Sequence, residues 1–175
     1  MIDEFSKLAA RVADLERRVK GSFRQGAVAE VDASAGTVRL KLGFGEQGDF
    51  LSAPIPYAQV AGAVKVHSPP SVGQQMIAMS PNGDLQQAVA MPLGFSNQNQ
   101  SPSGSVDQHV LSFGAVTLEL TSSGLTVSVG GTSVTIDSSG LSVSGGDVIH
   151  NGTGIGDNHS HSGVEAGGSR TGSPK

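Results

Sequence analysis

VTLELTSSGLTVSVGG at Val116–Gly131 and VTIDSSGLSVSGG at Val134–Gly146 decide how this 175-residue chain folds. Each copy is an extended segment, a Ser-Ser-Gly turn and a second extended segment. The turns, at Ser122-Ser123-Gly124 and Ser138-Ser139-Gly140, stand 16 residues apart. Apolar residues fall on alternate positions: Val116, Leu118, Leu120; Leu125, Val127, Val129; Val134, Ile136; Leu141, Val143. Thr and Ser fill the other face, with Glu119 and Asp137. A solvated coil does not hold a period of two over about 30 residues, so these stretches predict strands with one apolar and one polar face. Ten medium-sized aliphatics on four short strands have nothing to pack against in one chain. Repeats that cannot cover their own face are stabilised by neighbours. The expected solution is an intertwined triple-stranded β-helix or β-prism that forms only as a homotrimer, its faces closing on a threefold axis. A monomeric solenoid needs about three repeats or more, and only two are present.

The composition around the repeat agrees. Residues 96–175 hold 15 of the 25 glycines but only eight of the 26 charged side chains, six acidic and two basic. Residues 1–95 hold nine of each sign, so the whole net charge of −4 sits in the second part. An acidic chain lacks the basic face of a nucleic-acid binder. With no Cys there is no disulfide scaffold, thiolate metal site or Cys nucleophile. With aromatics at 4% and no Trp, a large single-chain core is not expected. No apolar run reaches the length of a membrane-spanning helix. The opening MIDEFSKLAARVADLERRVK carries early acids and no apolar core, so no signal peptide is expected.

Upstream, Met1, Phe5, Leu8, Val12, Leu15 and Val19 are spaced four and three in alternation, an a/d heptad seam. Arg11 then falls at g and Glu16 at the following e, a pairing of opposite sign that favours a parallel partner. Gly21 is expected to end this helix. Fewer than three heptads are marginal alone, and packing on the chain's own domain is the competing reading. Residues 22–95 predict a small β-domain. In Phe23–Asp32 the expected inward face is Ala27, Ala29 and Val31; in Thr37–Leu42 it is Val38, Leu40 and Leu42. Phe50–Ala58 carries two prolines and reads as an edge or bulged strand. Val72–Ser80 and Leu85–Phe95 flank Asn82-Gly83, a hairpin signal, and Ala58–Val72 reads as loop. Five short strands in so few residues suit an OB-type barrel. Gly43–Gly48 matches G-x-G-x-x-G, but Pro54 and Pro56 follow where the dinucleotide motif needs a helix, so it reads as loop.

His159-Ser160-His161 is an H-x-H pair. On an extended segment both rings point to one side. Two ligands are too few for a tight site, whereas three chains would supply six nitrogens. Six nitrogens suit octahedral Fe(II), Ni(II) or Co(II) better than four-coordinate Zn(II). Such a shell leaves no open position, which makes the ion structural. His150 lies nearby but outside the pair, and His67 and His109 read as ordinary surface or loop histidines. Asn151-Gly152-Thr153 and Asn158-His159-Ser160 match glycosylation sequons by coincidence.

Taken in order, these segments resemble the baseplate assembly protein V, or central spike, family of contractile-tailed phages and related tail-like particles. The resemblance runs through the N-terminal helix, RQGAVAEVD, TVRLKLG, PPSVGQQMIAMSPNGDLQQAVAM, the SNQNQ connector, the β-repeat and the tail NHSHSGVEAGGSRTGSP. One departure is the absence of a Trp from FLSAPIPYA. The resemblance implies a homotrimer with an OB-fold collar on the tail hub, a β-helical shaft and a sharp apex. One metal ion per trimer, typically iron, would sit at that apex between the H-x-H pairs, here His159 and His161. It implies a virion baseplate protein, assembled in the bacterial host cytoplasm, that is driven through the host outer membrane when the sheath contracts. The connector SNQNQSPSGS has no room for the lysozyme domain of larger relatives.

The expected organisation is a helix over 1–21, an OB-fold domain over 22–95, a connector over 96–108, a shaft over 109–150 and a metal-binding apex over 151–175. An enzyme is not expected: no Ser/His/Asp constellation, HExxH or P-loop is present. Glu119 and Asp137 could pass for a glycosidase pair on spacing, but a polar outward face explains them. The rival reading is a receptor- or glycan-binding trimeric fibre tip, which would display aromatics. After Ser96 the chain has only Phe113.

Overall fold

A computed structural model of the chain describes residues 2–45, 48–157, 159–160, 163 and 167–168. The chain divides into two compact units, Met1–Ser101 and Pro102–Lys175.

The first unit opens with helix α1, Ile2–Ser22. Asp3 and Glu4 in its first turn and Lys20 in its last complement the helix dipole. Lys7–Asp3 and Arg18–Asp14 pair one turn apart, at 2.7 and 2.8 Å. The helix runs one residue past Gly21, where the Ser22 hydroxyl donates to the Arg18 carbonyl at 2.8 Å. Phe5, Leu8, Val12, Leu15 and Val19 remain 47–75% exposed. The helix therefore does not lay its seam on its own unit. Met1, the sixth seam residue, lies outside the described residues.

The rest of the unit is a closed β-barrel. Its strands are β1 (Phe23–Asp32), β2 (Thr37–Gly45), β3 (Gly48–Leu51), β4 (Ile55–Pro56), β5 (Val60–Ala61), β6 (Lys65–Val66), β7 (Gln75–Met79) and β8 (Val89–Gly94). The sheet runs β3-β2-β1-β7-β8, with β4 on β2. A parallel bridge from Tyr57 to Ala90 and a 2.8 Å bond from the Ala58 amide to the Ala90 carbonyl join the two ends. If β3 and β4 are taken as one interrupted strand, the circuit has five strands closed by a single parallel contact, the OB order. The core is Val28, Val38, Leu40, Ile55, Tyr57, Met76, Ala78, Ala88 and Ala90. Pro54 interrupts the third strand, as two prolines require. There the buried Ser52 takes over the ladder: its Oγ accepts from the Leu40 amide (2.9 Å) and donates to the Ala53 carbonyl (2.7 Å).

Four sequence expectations need correction. In β1 the buried residues are Gly26 and Val28 rather than Ala27 and Ala29. A bulge between Val28 and Glu30 inserts one residue and reverses the phase, so Val31 still reaches the core. Leu85–Phe95 is not one strand: Leu85–Gln87 is a 3-10 turn capped by Asp84, and β8 starts at Val89. Asn82-Gly83 is thus part of a longer connection rather than a two-residue hairpin loop. Ala58–Val72 is not wholly loop, since β5 and β6 pair within it. The glycine-rich segment closes the antiparallel β2–β3 pair, Gly45 opposite Gly48, with a strand and no helix after it.

The second unit is an antiparallel meander of β9 (Gln108–Phe113), β10 (Val116–Thr121), β11 (Gly124–Val129), β12 (Thr132–Asp137) and β13 (Gly140–Ser144), hydrogen-bonded in chain order. Two of its turns begin with Gly114 and Gly130, at φ of +58° and +59°. Those values match the primed two-residue turns whose twist suits a hairpin. A last hairpin pairs β14 (Ile149–His150) with β15 (Thr153–Gly154). Asn151 and Gly152 between them both have positive φ, +48° and +81°, which is the Asn-Gly type I′ turn.

Candidate functional site

The five strands of the meander bring every apolar residue of the repeat onto one face. Cross-strand partners form a row Leu111–Leu118–Val127–Val134–Val143. A second row runs His109–Leu120–Leu125–Ile136–Leu141, and a third Phe113–Val116–Val129–Thr132. The register sets this pattern: in an antiparallel ladder directly opposed residues share a face, and a slip of one would scatter the rows. No described residue of this unit is buried. Leu111, Phe113 and Leu141 are 71%, 88% and 66% exposed. An apolar sheet face of this extent, open to water, marks an interaction surface.

The opposite face carries Val110, Glu119, Thr126, Thr135 and Ser142 in one row, with the Thr126 and Thr135 hydroxyls 3.2 Å apart. Asp137 sits at the β12–β13 turn, where its carboxylate accepts the Ser139 amide at 2.7 Å and the Ser139 hydroxyl. The hydroxyl chiefly, then the amide, hold its carboxyl below the usual value. With its carboxylate engaged by Ser139, Asp137 is a turn residue on the polar face. Phe113, the one aromatic after Ser96, belongs to the apolar face.

The histidines separate. His109, read from the sequence as a surface or loop residue, stands in β9 opposite Leu120 at the end of an apolar row. Counting alternate positions back from Leu111 would have found it. His150 is in β14, its Nε2 3.5 Å from the Asn151 side-chain nitrogen. His159 folds back on Gly156, whose carbonyl accepts its amide at 3.2 Å and lies 2.6 Å from Nδ1. A carbonyl can only accept, so in this contact Nδ1 bears the hydrogen. Such a carbonyl contact is the usual orienting partner of a metal-binding imidazole. His161 lies outside the described residues. Among the described residues no three His, Cys, Asp or Glu side chains come together to hold an ion.

Comparison with known proteins agrees with the barrel. The profile of the Type VI secretion system/phage-baseplate injector OB domain matches residues 24–95, the barrel. The spike protein of Escherichia phage P2 is 34% identical over 122 residues. Those residues are 68% of this chain and 56% of that protein, so the match spans little more than half of the relative's length.

Proposed function

The chain belongs to the phage baseplate spike family, and on that premise we propose that it is the homotrimeric central spike of a contractile phage-type tail. The family is structural and not enzymatic. The observation that carries the proposal is the open apolar face of the meander. Three copies of one sheet, each wet on its Ser/Thr side and apolar on the other, close into a prism around a shared core. Because consecutive strands pair within the chain, a prism of three sheets fits better than layers of strands drawn from different chains. Covering the remaining exposed half of ten aliphatics contributes on the order of 10 kcal/mol per chain. That is comparable with the estimated cost of association, about 4–15 kcal/mol.

In this reading the barrel is the collar that seats on the baseplate hub protein at the tube end. The meander is the shaft, and residues 151–175 form the apex. At the apex His159 and His161 of three copies hold one structural ion, iron by family resemblance, which ties the chain ends where the core is thinnest. Sheath contraction drives the spike through the host outer membrane. The mechanical logic lies in the hairpins: two-residue turns leave few loops to deform. The protein is a virion tail component assembled in the host cytoplasm, and no nucleic-acid partner is involved.

Mass measurement combined with negative-stain imaging tests the assembly. The expected result is three chain masses in a short tapered particle. A monomer by mass would overturn the trimer, and a long filament would favour the receptor-binding fibre tip.

A further inference from the structure

We propose that α1 is a docking surface for α1 of the other copies, zipped in parallel and in register along the seam from Phe5 to Val19. The inference rests on the trimer reading above and adds a second, separate contact to it.

Three observations carry it. The seam is a continuous apolar stripe with no cover: its five described residues are at least 47% exposed. Charge then identifies the occupant. The ion pairs along the helix engage Lys7 with Asp3, and Arg17 and Arg18 with Asp14. Arg11 and Glu16 have no ion-pair partner among the described residues. With Phe5, Val12 and Val19 at a and Leu8 and Leu15 at d, Arg11 stands at g and Glu16 at the e five residues on. In a parallel, in-register pair those positions face one another across the seam. The surface that complements α1 is therefore another α1.

The third observation is how the helix is seated. Gly21 and Gly83 meet backbone to backbone, so that a Cβ on Gly21 would lie 2.8 Å from the Gly83 carbonyl oxygen. A Cβ on Gly83 would lie 2.6 Å from the Arg18 carbonyl oxygen, and Gly83 has a φ of +74°. The Ser80 amide donates to the Ser22 carbonyl at 2.8 Å. The last turn of α1 is thus fixed on the connection between β7 and β8. Copies related by cyclic symmetry present such helices in one direction, and less orientational freedom remains to be lost on association. Val at a with Leu at d favours pairs in an isolated coil, and so short a coil is marginal alone. The copy number is therefore set by the sheet unit and not by the helix.

The chain has no cysteine, which makes disulfide capture a clean test on the full-length protein. Phe5→Cys, near one end of the seam, meets its own copy only in a parallel pair; Ala10→Cys lies on the outer face. Under mild oxidation Phe5→Cys should link chains roughly a hundredfold faster than Ala10→Cys, because only at a seam position do the thiols of a zipped pair come within disulfide-forming distance. Arg11→Glu added to Phe5→Cys should slow the linking, and Glu16→Arg added to both should restore it. Equal linking rates in a particle that still has three chain masses would overturn the helix contact and leave the trimer standing. A monomer by mass would remove the trimer reading itself.

Discussion

Asp32 shows how a single residue fixes a turn. Its Oδ1 accepts the Ser34 amide at 3.0 Å, the Ser34 hydroxyl at 2.6 Å and the Ala35 amide at 2.9 Å, closing the β1–β2 connection. The Ser34 hydroxyl first, then the Ala35 amide, hold its carboxyl below the usual value. A carboxyl depressed in the folded state lends stability that is complete above its unfolded value, near pH 4. That stability is lost as pH falls through the lower folded value. Urea unfolding should therefore give constant stability from neutrality to about pH 5 and a decline below about pH 4. Asp32→Asn keeps an acceptor oxygen but cannot titrate, so its decline should be shallower; an unchanged slope would show that other carboxylates carry the effect. Not every such detail is legible in advance. Val38 and Leu40 were readable as core because β2 keeps its period through them. Ala27 and Ala29 were misassigned because the bulge at Ala29 is made by pairing with β2, not by any local signal in FRQGAVAEVD.

At the level of elements, the meander's register has a sharp consequence. Val127 and Thr126 are neighbours in β11, yet Val127 pairs with Leu118 and Val134 while Thr126 pairs with Glu119 and Thr135. In the proposed trimer Val127→Asp would bury an unpaired charge in the shared core, a penalty large enough to prevent association. Thr126→Asp places the same charge in water. Sedimentation should find Val127→Asp monomeric with its barrel unit still folded, and Thr126→Asp still trimeric. If both remain trimeric, the apolar face is not the interface. The repeat made these strands visible, since each apolar position is fixed by its distance from a Ser-Ser-Gly turn. The Asn-Gly signal was less dependable. Asn151-Gly152 forms the two-residue hairpin it predicts, whereas around Asn82-Gly83 the 3-10 turn at Leu85–Gln87 and the seat of α1 claim the connection instead.

For the whole molecule, the proposed apex ion is the feature most open to direct measurement. Metal analysis of the purified particle should find one ion for every three chains. Chelation, or His159→Ala with His161→Ala, should release it and lower the melting temperature while the mass stays at three chains, because in the proposed trimer the shaft joins the chains without the ion. A three-chain particle free of metal from the start would dispose of the site. The apex was legible only as an H-x-H pair. The structure adds the contact of the His159 ring with the Gly156 carbonyl, made by a turn that spacing does not reveal. By itself the sequence determined the N-terminal helix, most of the longer strands and the two faces of the repeat, because periodicity and turn chemistry are local and survive in the unfolded chain's order. Only the tertiary structure decided that five strands close a barrel through Tyr57 and Ala90. It alone placed His109 in an apolar row, and it alone seats α1 on Gly83 with its seam left open. Those outcomes depend on which distant backbones meet, and pairing energies between distant segments are not written in any one of them.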